Sequence, residues 1–317
     1  MVHPEFIHGL HNLRSRHHGC VATIGSFDGV HRGHQKVLAQ LKQYAEHYHL
    51  PALVMVFEPQ PHEFFSREKA PARLMRLREK VETLFEYGVD RVLCLRFNRG
   101  LRGLSAEQFV TQVLVAKLGV RQLVIGDDFR FGCDRRGDYA MLQQSGEQHG
   151  FEVCDTQTSL HHHERISSTR IRGLLHEHQF ELASSLLGRE YTVRGRVIYG
   201  KQLGRTLGFP TANVHLGRYR AAVQGVFAVA VDIAGDQQNL AAVANIGVRP
   251  TVSGGREPLL EVHLLDFKGD LYGRCISVRF KRKLRREMRF ESLDALKTQI
   301  QKDVAAARHW FAEHARN

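Results

Sequence analysis

Ile24-Gly-Ser-Phe-Asp-Gly-Val-His-Arg-Gly-His34 follows an apolar run, residues 20–24, and precedes Val37, Leu38, Leu41, Ala45 and Tyr48 at helical spacing. The order is strand, glycine-punctuated loop, helix. At such a junction the first N–H groups of the helix have no partner within it, and their partial positive charge favours an anion. Gly29 and Gly33 let a phosphate approach the backbone. His31 and His34, three residues apart where the helix begins, can face the same anion, each donating a hydrogen bond. This arrangement suits attack on the α-phosphate of a nucleoside triphosphate, a transfer that needs positioned donors rather than a protein nucleophile.

Strand and helix patterns alternate through the first half. Residues 52–57 form an apolar run ended by Phe57-Glu-Pro-Gln-Pro61, residues 76–87 carry Leu77, Val81, Leu84 and Phe85 on one helical face, and residues 91–97 read as a third strand. Ser105 with Gln108 makes a capping box for a helix through Leu118, before a fourth strand at 123–125. That order predicts a parallel sheet covered on both faces, with ligands at the C-terminal ends of its strands. The loops after Gly25, Phe57 and Gly126 would gather there. The last of these, residues 126–137, has two aromatic residues and three glycines among its charges, which suits a ring system carrying phosphate. Ile166-Ser-Ser-Thr-Arg-Ile-Arg172 sets three hydroxyls and two arginines at the start of another helical pattern, a second anion site of the same kind.

Near Gly188 the pattern changes to short β-type runs at 192–199, 226–233, 240–246, 259–265 and 276–280, which fits an antiparallel barrel or sandwich. Helical periodicity returns from Ser292, with Leu293, Leu296, Ile300, Val304, Ala307 and Phe311 in one stripe. We place the domain boundary at 186/187.

The 317 residues allow two domains of ordinary size, and 43% hydrophobic with 25% charged residues excludes a disordered chain. The net charge of +12 fits either a nucleic-acid surface or sites for anionic small molecules. Five scattered cysteines without a C-x-x-C pair argue against a disulfide framework and a zinc site. Residues 1–19 have no apolar signal-like core, and no run approaches the ~20 apolar residues that cross a bilayer. These features predict a soluble, cytoplasmic protein without a membrane partner.

The stretch from Gly25 to His34 resembles the G-x-F-D-G-x-H-x-G-H motif of bacterial bifunctional FAD synthetases, which join an FMN adenylyltransferase to a riboflavin kinase. Phe57 to Pro61 resembles the family's F-x-P-x-P loop, Gly126 to Gly132 its G-x-D/N-F-x-F-G flavin loop, and Ile166 to Arg172 its I-S-S-T-x-I-R segment, which closes over the triphosphate opposite the His pair. Gly204-Arg-Thr-Leu-Gly-Phe-Pro-Thr-Ala-Asn213 resembles the kinase motif G-R-x-L-G-F-P-T-A-N, whose Thr and Asn hold the magnesium of Mg-ATP. Asn245-Ile-Gly-Val-Arg-Pro-Thr251, Glu261-Val-His263 and Leu271-Tyr-Gly273 match further kinase motifs in order.

The resemblance implies a Rossmann-like nucleotidyltransferase domain over 1–186 and an antiparallel riboflavin kinase barrel with a terminal helix over 187–317. It implies catalytic roles for His31, His34, Arg172 and Glu261, the last as base. Flavin or nucleotide contacts are implied for Gly25, Phe27, Asp28, Gly33, Phe57, Pro59, Asp128, Phe129 and Phe131, and for Ser167, Ser168, Thr169, Arg170, Gly204, Arg205, Gly208 and Pro210. Magnesium falls to Thr211 and Asn213; riboflavin, FMN and ATP are the substrates, nucleic acid is not expected as a partner, and a homo-oligomer is compatible. Residues 281–289, with six basic side chains in nine, would bring Arg285 or Arg289 near flavin and nucleotide. The His161–His163 run is expected to be a loop without a metal.

Overall fold

All five residues of β2 (Cys20–Ile24) are buried, as a strand covered on both faces requires. The computed structural model describes all residues except 1–2, 67, 127, 157–159, 162–163, 201–202, 218–219, 237, 251–255 and 315–317. Thr251, Asp127, His162 and His163, within the stretches read above, therefore lie outside the described residues. By backbone contacts the chain divides into two compact units, Met1–Pro71 with Leu77–Ser167, and Ala72–Arg76 with Ser168–Asn317.

The first unit is built on a six-stranded sheet of order β1-β4-β3-β2-β5-β6, with every neighbouring pair parallel. Its strands are β1 (Glu5–His8), β2, β3 (Ala52–Glu58), β4 (Arg91–Arg96), β5 (Val120–Ile125) and β6 (Glu152–Asp155). The chain leaves β2 toward β3 on one side and returns to β5 on the other, so the strand order reverses between β2 and β5. A crevice opens at such a reversal, outside the C-terminal strand ends. The loops beginning at Gly25 and Gly126 leave from these two strands. Strands β1 and β6 went unpredicted because four residues at a partly exposed edge carry too short a pattern.

The capping box at Ser105 and Gln108 is present, with each side chain receiving the other's backbone N–H. The helix it starts, Ala106–Gln108, then widens into π-helical turns over Phe109–Lys117. This segment is apolar nearly all round, so its period could not be read. A two-residue pair, β7 (Leu160–His161) with β8 (Glu164–Arg165), places His161 at a strand end rather than in the expected loop.

The second unit is a closed antiparallel barrel, ordered β10-β13-β12-β11-β14-β9. Its strands are β9 (Thr192–Ile198), β10 (Ala212–His215), β11 (Gly225–Ile233), β12 (Leu240–Pro250), β13 (Arg256–Leu264) and β14 (Cys275–Arg285). Strand β10 is missing from the expected runs because four residues are too few to show a period. Strand β11 lacks clean alternation because both faces are covered: Val226 and Ala228 pack with Ala307, Val304 and Phe311 of the terminal helix Leu293–His314. The predicted helical stripe divides accordingly. Val304, Ala307 and Phe311 join the barrel cluster, Leu296 and Ile300 line a cavity, and Leu293 is exposed, where the stripe had placed it inward.

Closure brings β9 hard against β10. A Cβ on Gly195 would lie 2.3 Å from Val214 Cγ1. We expect Gly195→Ala to destabilise the barrel by about 1–3 kcal/mol, the usual cost of overpacking, measurable as a lower denaturation midpoint.

Candidate active sites

In the first unit the loop after β2 is tightly wound. Phe27 and Val30 hold positive φ of 46° and 38°, and Gly29 turns at φ 85°. His31 is the N-cap of the helix Arg32–Tyr48, and its Nδ1 accepts the backbone N–H of His34 at 3.3 Å. A neutral imidazole that accepts at Nδ1 carries its proton on Nε2, which can then donate to a ligand. The His31 and His34 rings stack at 3.6 Å between centroids with 14° between planes, and Phe27 lies 4.9 Å from the His34 ring.

Gly33 has a more specific purpose than the phosphate approach expected from sequence. A Cβ there would lie 3.1 Å from the His31 ring and 3.4 Å from the Ile166 carbonyl, so its bareness seats the imidazole. Gly25 similarly lies under Phe27, where a Cβ would meet the ring at 3.0 Å. Phe27 and Asp28 are buried and brace this loop.

At the end of β3 the Glu58–Pro59 peptide is cis, and Pro61 occupies the first turn of a short helix, Pro61–Phe65, capped by a Gln60–Glu63 box. Phe57, Phe64, Phe65 and Phe97 form an edge-to-face aromatic cluster, with Arg102 5.2 Å over the Phe65 ring. Phe65 is 61% exposed and Phe57 half-buried, so the cluster offers a ring surface. Phe64, Phe65 and Phe97 were missed; an aromatic pair directly after two prolines was the available signal. In the loop after β5, Phe129 stacks on buried Phe131 at 5.5 Å, and paired backbone hydrogen bonds between Phe131 and Gly137 pin the loop. Asp128 is exposed. Ile166 is buried and Ser167 ends this unit.

Ser168, Thr169, Arg170 and Arg172 lie in the helix Ser168–His176 of the second unit, which buries Ile171, Leu174 and Leu175. Arg172 Nε donates to the Ala72 carbonyl at 2.6 Å.

The second unit contains a cavity of about 340 Å³. Strand register builds its polar wall: Asn213 of β10 faces Glu261 of β13, which faces Asn245 of β12. Leu260, Val262 and Leu264 alternate with Glu261 and are buried, so the carboxylate stands on the opposite, cavity side, as the two-residue period predicts. Asn245 Nδ2 donates to Glu261 Oε2 at 3.5 Å. Asn213 is 5% exposed, and its Oδ1 accepts no hydrogen bond from any described residue; the same holds for Asn245 Oδ1.

Thr211 and Gly204 complete this wall, whereas Arg205, Gly208 and Pro210 belong to the same loop but not to the lining. A Cβ on Gly204 would lie 2.4 Å from the Phe209 carbonyl and 3.2 Å from Thr211 Oγ1, so the glycine is needed for that approach. Gly208 turns the loop with φ 84°, and His263 Nδ1 donates to the Pro210 carbonyl at 2.9 Å.

The apolar part of the lining includes Leu207, Phe209, Met288, Phe290, Leu296 and Ile300. Arg285 also lines the cavity, where it grips Asp303 of the terminal helix through Nε and a terminal nitrogen at 2.8–3.0 Å. Glu287 lines it too; burial, then the charge of Glu261, push its carboxyl above the ordinary carboxylate range, with Arg285 opposing. Sequence reading had the 281–289 segment near the ligand but missed Glu287 and the Asp303 partner, which lies 18 positions from Arg285. The cavity therefore joins an apolar slot fit for a flat ring to a row of oxygen and amide groups fit for hydroxyls, phosphate and a hard cation.

A family model described as FAD synthetase matches residues 13–170, and one described as riboflavin kinase matches residues 187–311. The chain is 56% identical to a bifunctional riboflavin kinase/FMN adenylyltransferase of Pseudomonas fluorescens, with 98% of this chain and 99% of that protein covered. It is 52% identical to the protein of that name from Escherichia coli K12, covering 97% and 98%. Among solved structures, one described as a macrolide-efflux protein from Streptococcus pneumoniae superimposes with a TM-score of 0.77 at 28% identity, covering 98% of this chain and all of that one. No described helix of the present chain is long and apolar enough to cross a membrane.

Proposed function

The chain belongs to the bifunctional riboflavin kinase/FMN adenylyltransferase family, phosphorylating riboflavin to FMN and adenylylating FMN to FAD, and on that premise we propose how its residues divide the work. Residues 187–317 carry the kinase reaction and residues 1–186 the adenylyl transfer. The observation that carries the kinase assignment is the in-register row Asn213, Glu261, Asn245 on the wall of the cavity.

A primary hydroxyl is a weak nucleophile at neutral pH. Glu261 orients the riboflavin 5′-hydroxyl and accepts its proton as the bond to the γ-phosphorus forms and the bond from that phosphorus to the departing ADP breaks. The apolar slot takes the isoalloxazine ring. Thr211 and Asn213 would hold the magnesium of Mg-ATP; the buried Asn213 Oδ1 without a described donor fits a hard cation. When bound, the ion offsets negative charge on the phosphate oxygens.

In the adenylyltransferase half, the FMN phosphate is already ionised and needs no base. His31 Nε2 and the His34 imidazole donate to the α-phosphoryl oxygens and departing pyrophosphate at the helix N-terminus, and Gly25, Phe27, Asp28 and Gly33 shape that cradle. Phe57, Pro59, Asp128, Phe129 and Phe131 supply or brace the flavin surface. Ser167, Ser168, Thr169, Arg170 and Arg172 serve the triphosphate, and Gly204, Arg205, Gly208 and Pro210 the kinase nucleotide. The positive charge serves anionic small molecules rather than nucleic acid, in the cytoplasm.

The division is testable with a fragment of residues 187–317. It is expected to phosphorylate riboflavin and make no FAD, as read by chromatography of the products. Arg76, which donates to the His215 and Leu216 carbonyls, is absent from that fragment, so its denaturation midpoint should fall below that of the same unit in the full chain. A soluble fragment that binds riboflavin without phosphorylating it would show that residues before 187 supply kinase groups.

A further inference from the structure

The kinase cavity holds a carboxyl group that the scheme above leaves unused. Glu287 follows β14 and is the sole acidic residue of the basic run 281–289. Its side chain lies against β12: a Cβ on Gly247 would sit 2.1 Å from Glu287 Oε1 and 3.0 Å from its Cδ. The strand is therefore notched at Gly247, and the carboxyl fills the notch. Gly247 stands two residues beyond Asn245, on the same face of the strand, and Asn245 pairs with Glu261. The notch thus delivers Glu287 to the wall that already carries Asn213, Glu261 and Asn245.

Other charged groups on the lining do not explain this placement. Arg285 is engaged by both oxygens of Asp303. A second carboxyl beside Glu261 would repel nucleotide phosphates, and Thr211 and Asn213 already offer neutral oxygens for a cation. What two neighbouring carboxyl groups suit is a ligand with several hydroxyl donors along one chain, of which only the last reacts. The buried Asn245 Oδ1, which accepts nothing from described residues, extends the same acceptor-rich wall. Riboflavin has such a chain, its ribityl group.

We propose that Glu287 hydrogen-bonds an internal ribityl hydroxyl while Glu261 holds the terminal one, so that Glu287 selects flavins with a polyhydroxylated side chain. This rests on the assignment of the cavity as the kinase site.

The test compares riboflavin with 10-(5-hydroxypentyl)isoalloxazine bearing the same ring methyls, which keeps the reacting hydroxyl and lacks the internal ones. Initial rates of phosphorylation are measured in the full-length enzyme for wild type, Glu287→Ala and Glu287→Gln. Glu287→Ala should lower kcat/KM for riboflavin by ~10–100-fold, the range for losing a hydrogen bond to a charged group. For the hydroxypentyl flavin it should change by less than ~3-fold, within ordinary context scatter for a contact the substrate cannot make. The wild-type preference for riboflavin would then collapse in the variant. Glu287→Gln, isosteric and still offering an acceptor oxygen, should fall between. KM for ATP should hold in all three.

Equal losses on both flavins would make Glu287 a structural residue, and an unchanged riboflavin kcat/KM would remove it from the site; either overturns the proposal. A rise in KM for ATP alone would place it on the nucleotide side and also overturn it. The denaturation midpoint of each preparation reports folding of the barrel. If instead Glu261→Gln keeps the full kinase rate, the cavity assignment itself is wrong, whatever Glu287 does.

Discussion

Glu261→Gln is expected to lower FMN formation from riboflavin by ~10²–10⁴-fold, the span for losing a general base, while leaving FAD formation from supplied FMN near the wild-type rate. The amide keeps the shape of the carboxylate and can still meet Asn245 and the substrate hydroxyl, but it cannot take the proton. Riboflavin binding, followed by quenching of flavin fluorescence, should therefore change little. The bland alternative is a strand Glu that serves only as a polar neighbour of Asn245, worth ~0–1 kcal/mol, and it predicts an unchanged rate. The result that would exclude the base role is a variant that retains most of its rate when the chemical step limits turnover. Positioning would then carry the step, with Asn213, Asn245 and Thr211 as its agents.

The second large effect is expected at the His pair, and it has two separable parts. His34→Ala removes one donor and should cut FAD formation from FMN by ~10²–10³-fold, the usual consequence of losing one transition-state donor. FMN formation should survive. His31→Ala removes a donor and also the N-cap of the helix Arg32–Tyr48, so the first unit should lose about 1 kcal/mol as well as activity. His31→Asn restores a good cap without the imidazole donor. It should recover the denaturation midpoint and stay deficient in FAD formation. Recovery of both would show that His31 acts through the cap alone. Equal loss of kinase and adenylyltransferase activity in His34→Ala would contradict the two-site reading.

Much of this protein was readable along the chain because the decisive patterns are local. The run Cys20–Ile24, the glycines and the helical repeat from Val37 specify strand, loop and helix within about thirty residues, and the structure has β2 and the helix Arg32–Tyr48 there. The side on which Glu261 stands followed from a two-residue period, and the buried Leu260, Val262 and Leu264 bear it out. The ends of elements were blurred where a segment was too short, as at β1, β6 and β10, or apolar all round, as over Phe109–Lys117.

Tertiary structure decided what depends on distant residues meeting. Periodicity allowed barrel or sandwich, and only closure, β9 pairing with both β10 and β14, chose the barrel. The sequence carries Asn213, Asn245 and Glu261 at separations of 16 to 48 positions; strand register, which no local pattern encodes, turns them into one row. Glu287, the one acidic residue of the basic run 281–289, enters the cavity because the bare Gly247 of a different strand admits it. Residue types and local periods declare which chemistry a chain can perform, because they act within a few bonds. Which groups perform it together depends on long-range packing and pairing, whose partners a single sequence leaves unspecified.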